Sequence, residues 1–216
     1  MNYLNFYSLL RDKYFEKLRT LPTKKLLSCN NVIYKFLFIM DGKILMKNNN
    51  PFFYTVKKIS NKFIEFPLSF ISNAGNNIFI LCDCNNKKKI KIEFLKDCDF
   101  IHIRDALLNL ENNVASIVSA GYSLYSWQNN NKFCGRCGTK NKFDDNGQSL
   151  ICINKNCKRK IFPSVYPTVI VNIINKDKIL LARNATWKKN LYSCLAGFCE
   201  QNESAEETVK REVYEE

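Results

Sequence analysis

The sequence predicts an α+β chain in three parts: a mixed α/β N-terminal domain over residues 1–128, a four-cysteine metal module over 129–163, and from 164 to 216 the opening strands and a helix of a further α/β domain. Helical spacing of apolar residues over 3–18 and 103–127 brackets short β-like runs. Two close cysteine pairs follow. After Tyr166 the pattern turns to strands and closes on a helix that starts near Ser204.

In the first part, Leu4, Phe6, Tyr7, Leu10, Tyr14, Phe15 and Leu18 share a helical face. Strands are expected at 32–40, 63–71 and 77–82, with turns at Asp41-Gly42, 48–51 and 73–77. One helix is expected from Ile103 to Trp127, with Gly121 a tolerated interruption, and then a polar hinge at 129–132. In the last part, strands are expected at 169–174 and 179–182. Turns are expected at 175–177 and 187–190, and 191–196 runs into Gly197.

Hydrophobic residues at 46% and charged residues at 25% describe an ordinary globular chain. No apolar stretch is long enough to span a bilayer, and no secretory signal is legible, so a cytoplasmic or organellar-matrix protein is expected. The net charge of +13 favours anionic partners, yet abundant Asn, Lys, Ile and Phe together are also the usage an AT-rich coding sequence imposes. Both readings of the charge stay open.

Ten cysteines in a short secreted chain would suggest disulfides. Here Cys134 and Cys137 form a C-x2-C pair, and Cys152 and Cys157 a C-x4-C pair, across a hairpin expected to turn at 144–147. Four thiolates with no open position make a closed structural site, and soft ligands in tetrahedral number select zinc. Arg136, Lys158, Arg159 and Lys160 ring this module. They are either a phosphate-binding rim or a solvated one. The module itself could hold nucleic acid, brace a neighbouring domain or mediate dimers.

The last stretch runs from Gly197 through Glu203 to Arg211, Glu212, Val213, Tyr214, Glu215 and Glu216. Gly197 is expected to permit a strand-to-loop bend, and Ser204 with Glu207 to form a capping box. Val209 and Val213 are expected on a buried face. Glu212 and Glu216 lie one turn apart with Glu215 on the same flank, where they would repel unless a cation sits among them. Hard oxygen ligands imply Mg2+ or Mn2+.

This stretch resembles the Nudix box, G-x5-E-x7-R-E-U-x-E-E-x-G-U with U apolar, through its second terminal Glu. Together with Leu195-Ala196-Gly197-Phe198, Trp127, the Phe133–Gly138 ribbon start and the residues 162–167, the chain resembles the NADH pyrophosphatase branch of the Nudix hydrolases. The resemblance is specific from about residue 104 onward, and its C-x4-C pair is similar to the eukaryotic members.

That resemblance implies the first part of a Nudix α/β/α sandwich after the ribbon, and an N-terminal Nudix-like domain before it. It implies metal-dependent cleavage of NADH or NAD+ to nicotinamide mononucleotide and AMP, with removal of NAD caps from RNA as a further activity. Glu212, Glu215 and Glu216 would be catalytic and, with the Ala196 carbonyl, would hold Mg2+ or Mn2+; Cys134, Cys137, Cys152 and Cys157 would hold Zn2+. Phe198, Phe162 and Arg104 would meet substrate, while Gly197, Glu203 and Arg211 would be structural. A homodimer and no membrane are implied.

Phe162 stands where the family has Tyr, and Asn202 where it has Gly before Glu203. The later catalytic Glu and the Q-P-W-P-F-P segment of the family do not occur in these 216 residues. The expectation is therefore an incomplete, inactive catalytic domain. Two other functions compete: an RNA- or partner-binding ribbon protein with a vestigial Nudix segment, and a Nudix hydrolase of another nucleoside diphosphate derivative.

Overall fold

The computed structural model describes residues 31–57, 67–85, 97–143 and 149–216. The expected helix at 3–18, the turn at 144–147 and the start of the strand expected at 63–71 lie outside them. The chain divides into two compact units, residues 1–163 and 164–216.

In the first unit the described strands β1 (Ile33–Met40), β2 (Lys43–Lys47), β3 (Asn50–Pro51), β4 (Phe53–Val56), β5 (Leu68–Ala74), β6 (Asn77–Asp83) and β7 (Asp99–His102) form one mixed sheet. Its main path is β3-β2-β1-β6-β5, with β4 beside β1 and β7 beside β2. β1 and β6 pair in parallel, Ile33 opposite Asn77, while β1 and β2 are joined at the Asp41-Gly42 turn. Both residues of that turn take positive φ, 48° and 74°, the geometry a tight hairpin needs.

Alternation along β1 and β6 sends Tyr34, Phe36, Ile78 and Ile80 to one face and Leu37, Ile39 and Leu81 to the other. Both faces are buried. The second face receives α1 (Ile103–Leu107) and α2 (Asn112–Asn130) through Ile103, Ala106, Val118 and Tyr125.

The single helix expected over 103–127 is two. Asn109 and Leu110 donate backwards to Ala106 and Leu107, closing α1 in a tight turn, and Glu111 adopts an extended backbone as the N-cap of α2. The Asn residues on either side favour such turns over helix interior, and they override the apolar stripe. Leu108, inside the span expected to be one helix, is consequently exposed. Gly121 is more than a tolerated interruption. A Cβ there would sit 2.7 Å from Leu37 Cδ2 and 2.9 Å from Ile71 Cδ1, so its bareness lets α2 settle onto the sheet.

Nor do residues 129–132 behave as a loose hinge. α2 continues through Asn130, and the Asn141 side chain donates to the Asn131 carbonyl at 2.8 Å while the Asn141 backbone N–H donates to Lys132. These bonds pin the helix end to a small sheet of β8 (Asn141–Phe143), β9 (Leu150–Cys152) and β10 (Lys160–Ile161).

In the second unit β11 (Thr168–Val171) pairs antiparallel with β14 (Leu195–Phe198), and α3 (Ala205–Glu215) packs on both. β12 (Ile174–Asn175) and β13 (Lys178–Ile179) form a short hairpin, and Ala182 bridges Ser193. The strands expected at 169–174 and 179–182 are thus shorter and broken. The described residues together are mixed α/β, as the periodicities predict.

Candidate zinc and carboxylate sites

The ribbon cluster is built from two turns presented at the ends of the small sheet. In the first, Gly138 donates to the Cys134 carbonyl at 2.8 Å and Cys134 to the Thr139 carbonyl at 2.8 Å, with Gly138 at φ 70° closing the turn. In the second, Lys158 and Cys157 donate to the Asn154 carbonyl, and Asn156 donates to the Asn154 side chain. Lys158 takes φ 46° there, the left-handed position that Gly138 fills in the first turn.

These turns gather the sulfurs of Cys134, Cys137, Cys152 and Cys157 within 4.8 Å of one another. Cys134 and Cys157 stand 3.8 Å apart and Cys137 and Cys152 3.5 Å apart. A tetrahedron with zinc–sulfur bonds of about 2.3 Å has edges of about 3.8 Å, so the spacing suits zinc and is too long for disulfides. Hydrogen bonds from the Thr139 hydroxyl and backbone N–H bring the Cys137 thiol down to about 6. Backbone N–H groups of Arg136 and Cys137 lower Cys134, while burial pushes Cys152 up to about 12. Half the cluster is thereby biased toward thiolate, and a cation would supply the rest.

The carboxylate site is organised around Arg211. Its guanidinium grips Glu203 through both oxygens, Nε to Oε1 at 2.7 Å and Nη2 to Oε2 at 3.0 Å. Nη1 reaches Glu212 Oε1 at 2.8 Å and Glu215 Oε2 at 3.1 Å, and Nη2 also donates to the Phe198 carbonyl at 2.9 Å. One cation thus ties strand, loop and helix together. Expected to be structural, as is Glu203, Arg211 is also the cation among the helix carboxylates.

Glu203 accepts further from the Glu200 backbone N–H at 3.0 Å and the Thr208 hydroxyl at 2.9 Å. The Arg211 hydrogen bonds first, then that backbone bond, hold its carboxyl at about 2 against an ordinary 4.5. Because the folded value is depressed, the contribution of this carboxylate is complete above pH 4.5 and is lost as the pH falls toward 2. Amide protection of α3, corrected for intrinsic exchange, is expected to stay flat from pH 7 to about 5 and to fall below it. In Glu203→Gln that acid-dependent fall should disappear and protection should be low throughout.

α3 begins as expected, with Ser204 and Glu207 in a reciprocal capping box. Its buried face differs. Val213 is 39% exposed and Val209 half-buried, whereas Thr208 is fully buried, its hydroxyl shared between Glu203 and the Ser204 carbonyl. Thr208 occupies a variable position of the box, and its one sequence signal is a β-branched hydroxyl four residues after the cap.

Gly197 does not bend the chain. It lies within β14 opposite Val169, and a Cβ built on it would overlap the carboxyl group of Glu212. Its missing side chain is the space Glu212 occupies. The ladder also orients Ala196. Cys199 donates to the Pro167 carbonyl, so Gly197 opposite Val169 and Leu195 opposite Val171 are the hydrogen-bonded pairs. The Ala196 and Phe198 carbonyls therefore face away from β11, and that of Phe198 meets Arg211.

Phe198 is 65% exposed. Glu216 caps α3, its backbone N–H on the Glu212 carbonyl. Asn202 takes φ 69°, the geometry that glycine would adopt freely. Phe162, with Lys160 5.4 Å above its ring, and Arg104, exposed in the first turn of α1, both belong to the first unit, whereas the glutamates belong to the second.

Comparison with known proteins agrees with this arrangement. Residues 129–162 match the NADH pyrophosphatase zinc ribbon domain, and residues 165–216 match the NUDIX domain. This is a chain with a zinc ribbon and a Nudix domain in tandem.

Over 130 residues the chain is 35% identical to the human NAD-capped RNA hydrolase NUDT12, covering 56% of this chain and 28% of that protein. It is 38% identical over 117 residues to the human mitochondrial NAD(P)H pyrophosphatase NUDT13, covering 54% and 33%. With the NAD-capped RNA hydrolase NudC of Pectobacterium atrosepticum it shares 34% over 121 residues, covering 56% and 45%. The matched part thus spans less than half the length of each of these relatives. No described helix is long and apolar enough to cross a membrane.

Proposed function

We propose that this chain contributes the ribbon and the catalytic box of a metal-dependent pyrophosphatase acting on NADH and NAD+, with NAD-capped RNA as a further substrate. The observation that carries the reading is the Glu212 carboxylate seated against Gly197 and held by Arg211. Hard carboxylate oxygens are the donor type a divalent ion takes, and among the described residues only the four cysteines already lie close enough together to share one. Among the described contacts Arg211 satisfies both oxygens of Glu203 but one oxygen each of Glu212 and Glu215, and Glu216 adds a further carboxylate. The outward Ala196 carbonyl, on the residue before Gly197, is the further oxygen donor of this reading.

Glu212, Glu215, Glu216 and that carbonyl would hold Mg2+ or Mn2+, which would neutralise the diphosphate and lower the pKa of bound water. Arg211 and Glu203 fix the helix against the strand, which would orient Glu212 and Glu215 for an ion. One of the three helix glutamates accepts the proton of the attacking water, and Phe198 offers an exposed ring to a base or nicotinamide. The boundaries 1–128, 129–163 and 164–216, the contacts of Arg104 and Phe162 with substrate, a homodimer, and a cytoplasmic or organellar-matrix location belong to the same reading.

The test is NADH hydrolysis by the product of the whole reading frame with Mg2+ or Mn2+, followed as AMP release. Glu216→Gln is expected to reduce kcat by roughly 10²-fold or more, the scale of a lost acid–base or charge-stabilising group. AMP release that survives this change undiminished would overturn the assignment.

A further inference from the structure

We propose that the outward face of the ribbon sheet is a binding platform for single-stranded RNA, sharing Phe162 with the substrate contacts proposed above and otherwise built from residues outside them. Register places its residues. Lys142, Ile151 and Lys160 stand directly opposite one another across β8, β9 and β10, so their side chains share one face. Burial alternates accordingly, with Asn141, Leu150 and Cys152 buried on the other face. The row continues outward: Phe133 bridges Lys140, and Ile153 donates to the Lys140 carbonyl. Two residues beyond Lys160 on the same side lies Phe162.

The chemistry of this face is unusual for a solvated surface. Phe133 is 64% exposed, Phe162 62% and Ile153 50%, all set among lysines. Residues 129–163 contain eight Lys and Arg against two acidic residues, Asp144 and Asp145. With four thiolates around one zinc dication, this segment keeps a surplus of about four positive charges. Strand spacing and rise put Phe133 and Phe162 roughly 20 Å apart, at opposite corners of the face. Separated exposed rings with cations between them suit a strand whose bases are unstacked and splayed, while the lysines meet its phosphates. A duplex keeps its bases stacked and offers these rings nothing.

The choice of RNA as the strand rests on the proposed function. The binding does not, because an uncapped oligonucleotide contains no pyrophosphate to cleave.

The experiment is fluorescence anisotropy of a labelled, unstructured, uncapped ten-nucleotide RNA with the full chain, across a salt series. Three lysine–phosphate contacts predict that log affinity falls against log salt with a slope of about −2. Lys142→Glu with Lys160→Glu should weaken binding at least tenfold and flatten that slope. Phe133→Ala should weaken it about tenfold and leave the slope unchanged. Zinc content measured on each variant establishes that the ribbon is intact. Unchanged affinity in zinc-replete variants would overturn the proposal, as would equal affinity for a duplex of the same sequence or for poly-glutamate. If NADH hydrolysis is absent but RNA binds as described, the pyrophosphatase reading fails and the platform stands. The reverse result removes the platform alone.

Discussion

Replacing Gly197 by alanine is expected to lower kcat for NADH about 10²-fold while leaving the zinc content of the ribbon unchanged. The added Cβ would fall on the Glu212 carboxyl group, with no flexible chain end to move aside except that carboxylate itself. Glu212 must therefore leave its place, and its bond with Arg211 Nη1 goes with it. A displacement of an ångström at a carboxylate proposed to hold the metal would cost turnover on this scale. Because α3 is held separately by the Glu203–Arg211 pair and by the capping box, the fold of the second unit should survive. Circular dichroism then separates a displaced ligand from an unfolded domain. Wild-type kcat in Gly197→Ala would show that Glu212 need not sit against the strand.

The second large effect is expected at Cys152. This thiol is buried, ends β9 and stands 3.5 Å from Cys137. Partners that merely orient a ligand cost about 10- to 100-fold in metal affinity when removed, so Cys152→Ser, which removes the ligand itself, should cost more. Structural zinc in small ribbons carries an apparent binding free energy of about 10–16 kcal/mol, most of which is folding free energy. Residues 134–143 and 149–162 should accordingly lose amide protection in the variant, and in wild type treated with a strong chelator. Elemental analysis should find the metal gone. The strands β1 and β6, whose core contains none of these cysteines, should remain protected. Protection of the ribbon after full removal of zinc would show that its hairpin stands without the metal.

The zinc cluster could be read in the sequence because metal chemistry restricts ligand type and spacing within one short segment. Two cysteine pairs with a hairpin between them have few other uses, and the structure brings all four sulfurs together. The capping box was equally local, since Ser204 and Glu207 meet whenever a helix starts between them. The alternation of β1 and β6 was legible for the same reason, as each strand carries its own period. Failures came where a longer-range or competing local bond decided the outcome. The turn at Leu108 to Glu111 interrupts an apolar stripe that by itself describes one continuous helix.

The sequence by itself determined the types of group present: four soft ligands, a run of hard ones, one arginine among them and a glycine ahead of them. Only the tertiary structure decided what the glycine and the arginine are for. Gly197 serves as room for a carboxylate fifteen residues later, and Arg211 joins Glu203, Glu212, Glu215 and the Phe198 carbonyl at once. It also decided that Lys142, Ile151 and Lys160 form one row. Spacing along the chain reports neighbours on one element. Steric room, shared hydrogen-bond donors and cross-strand register arise only when different elements pack together.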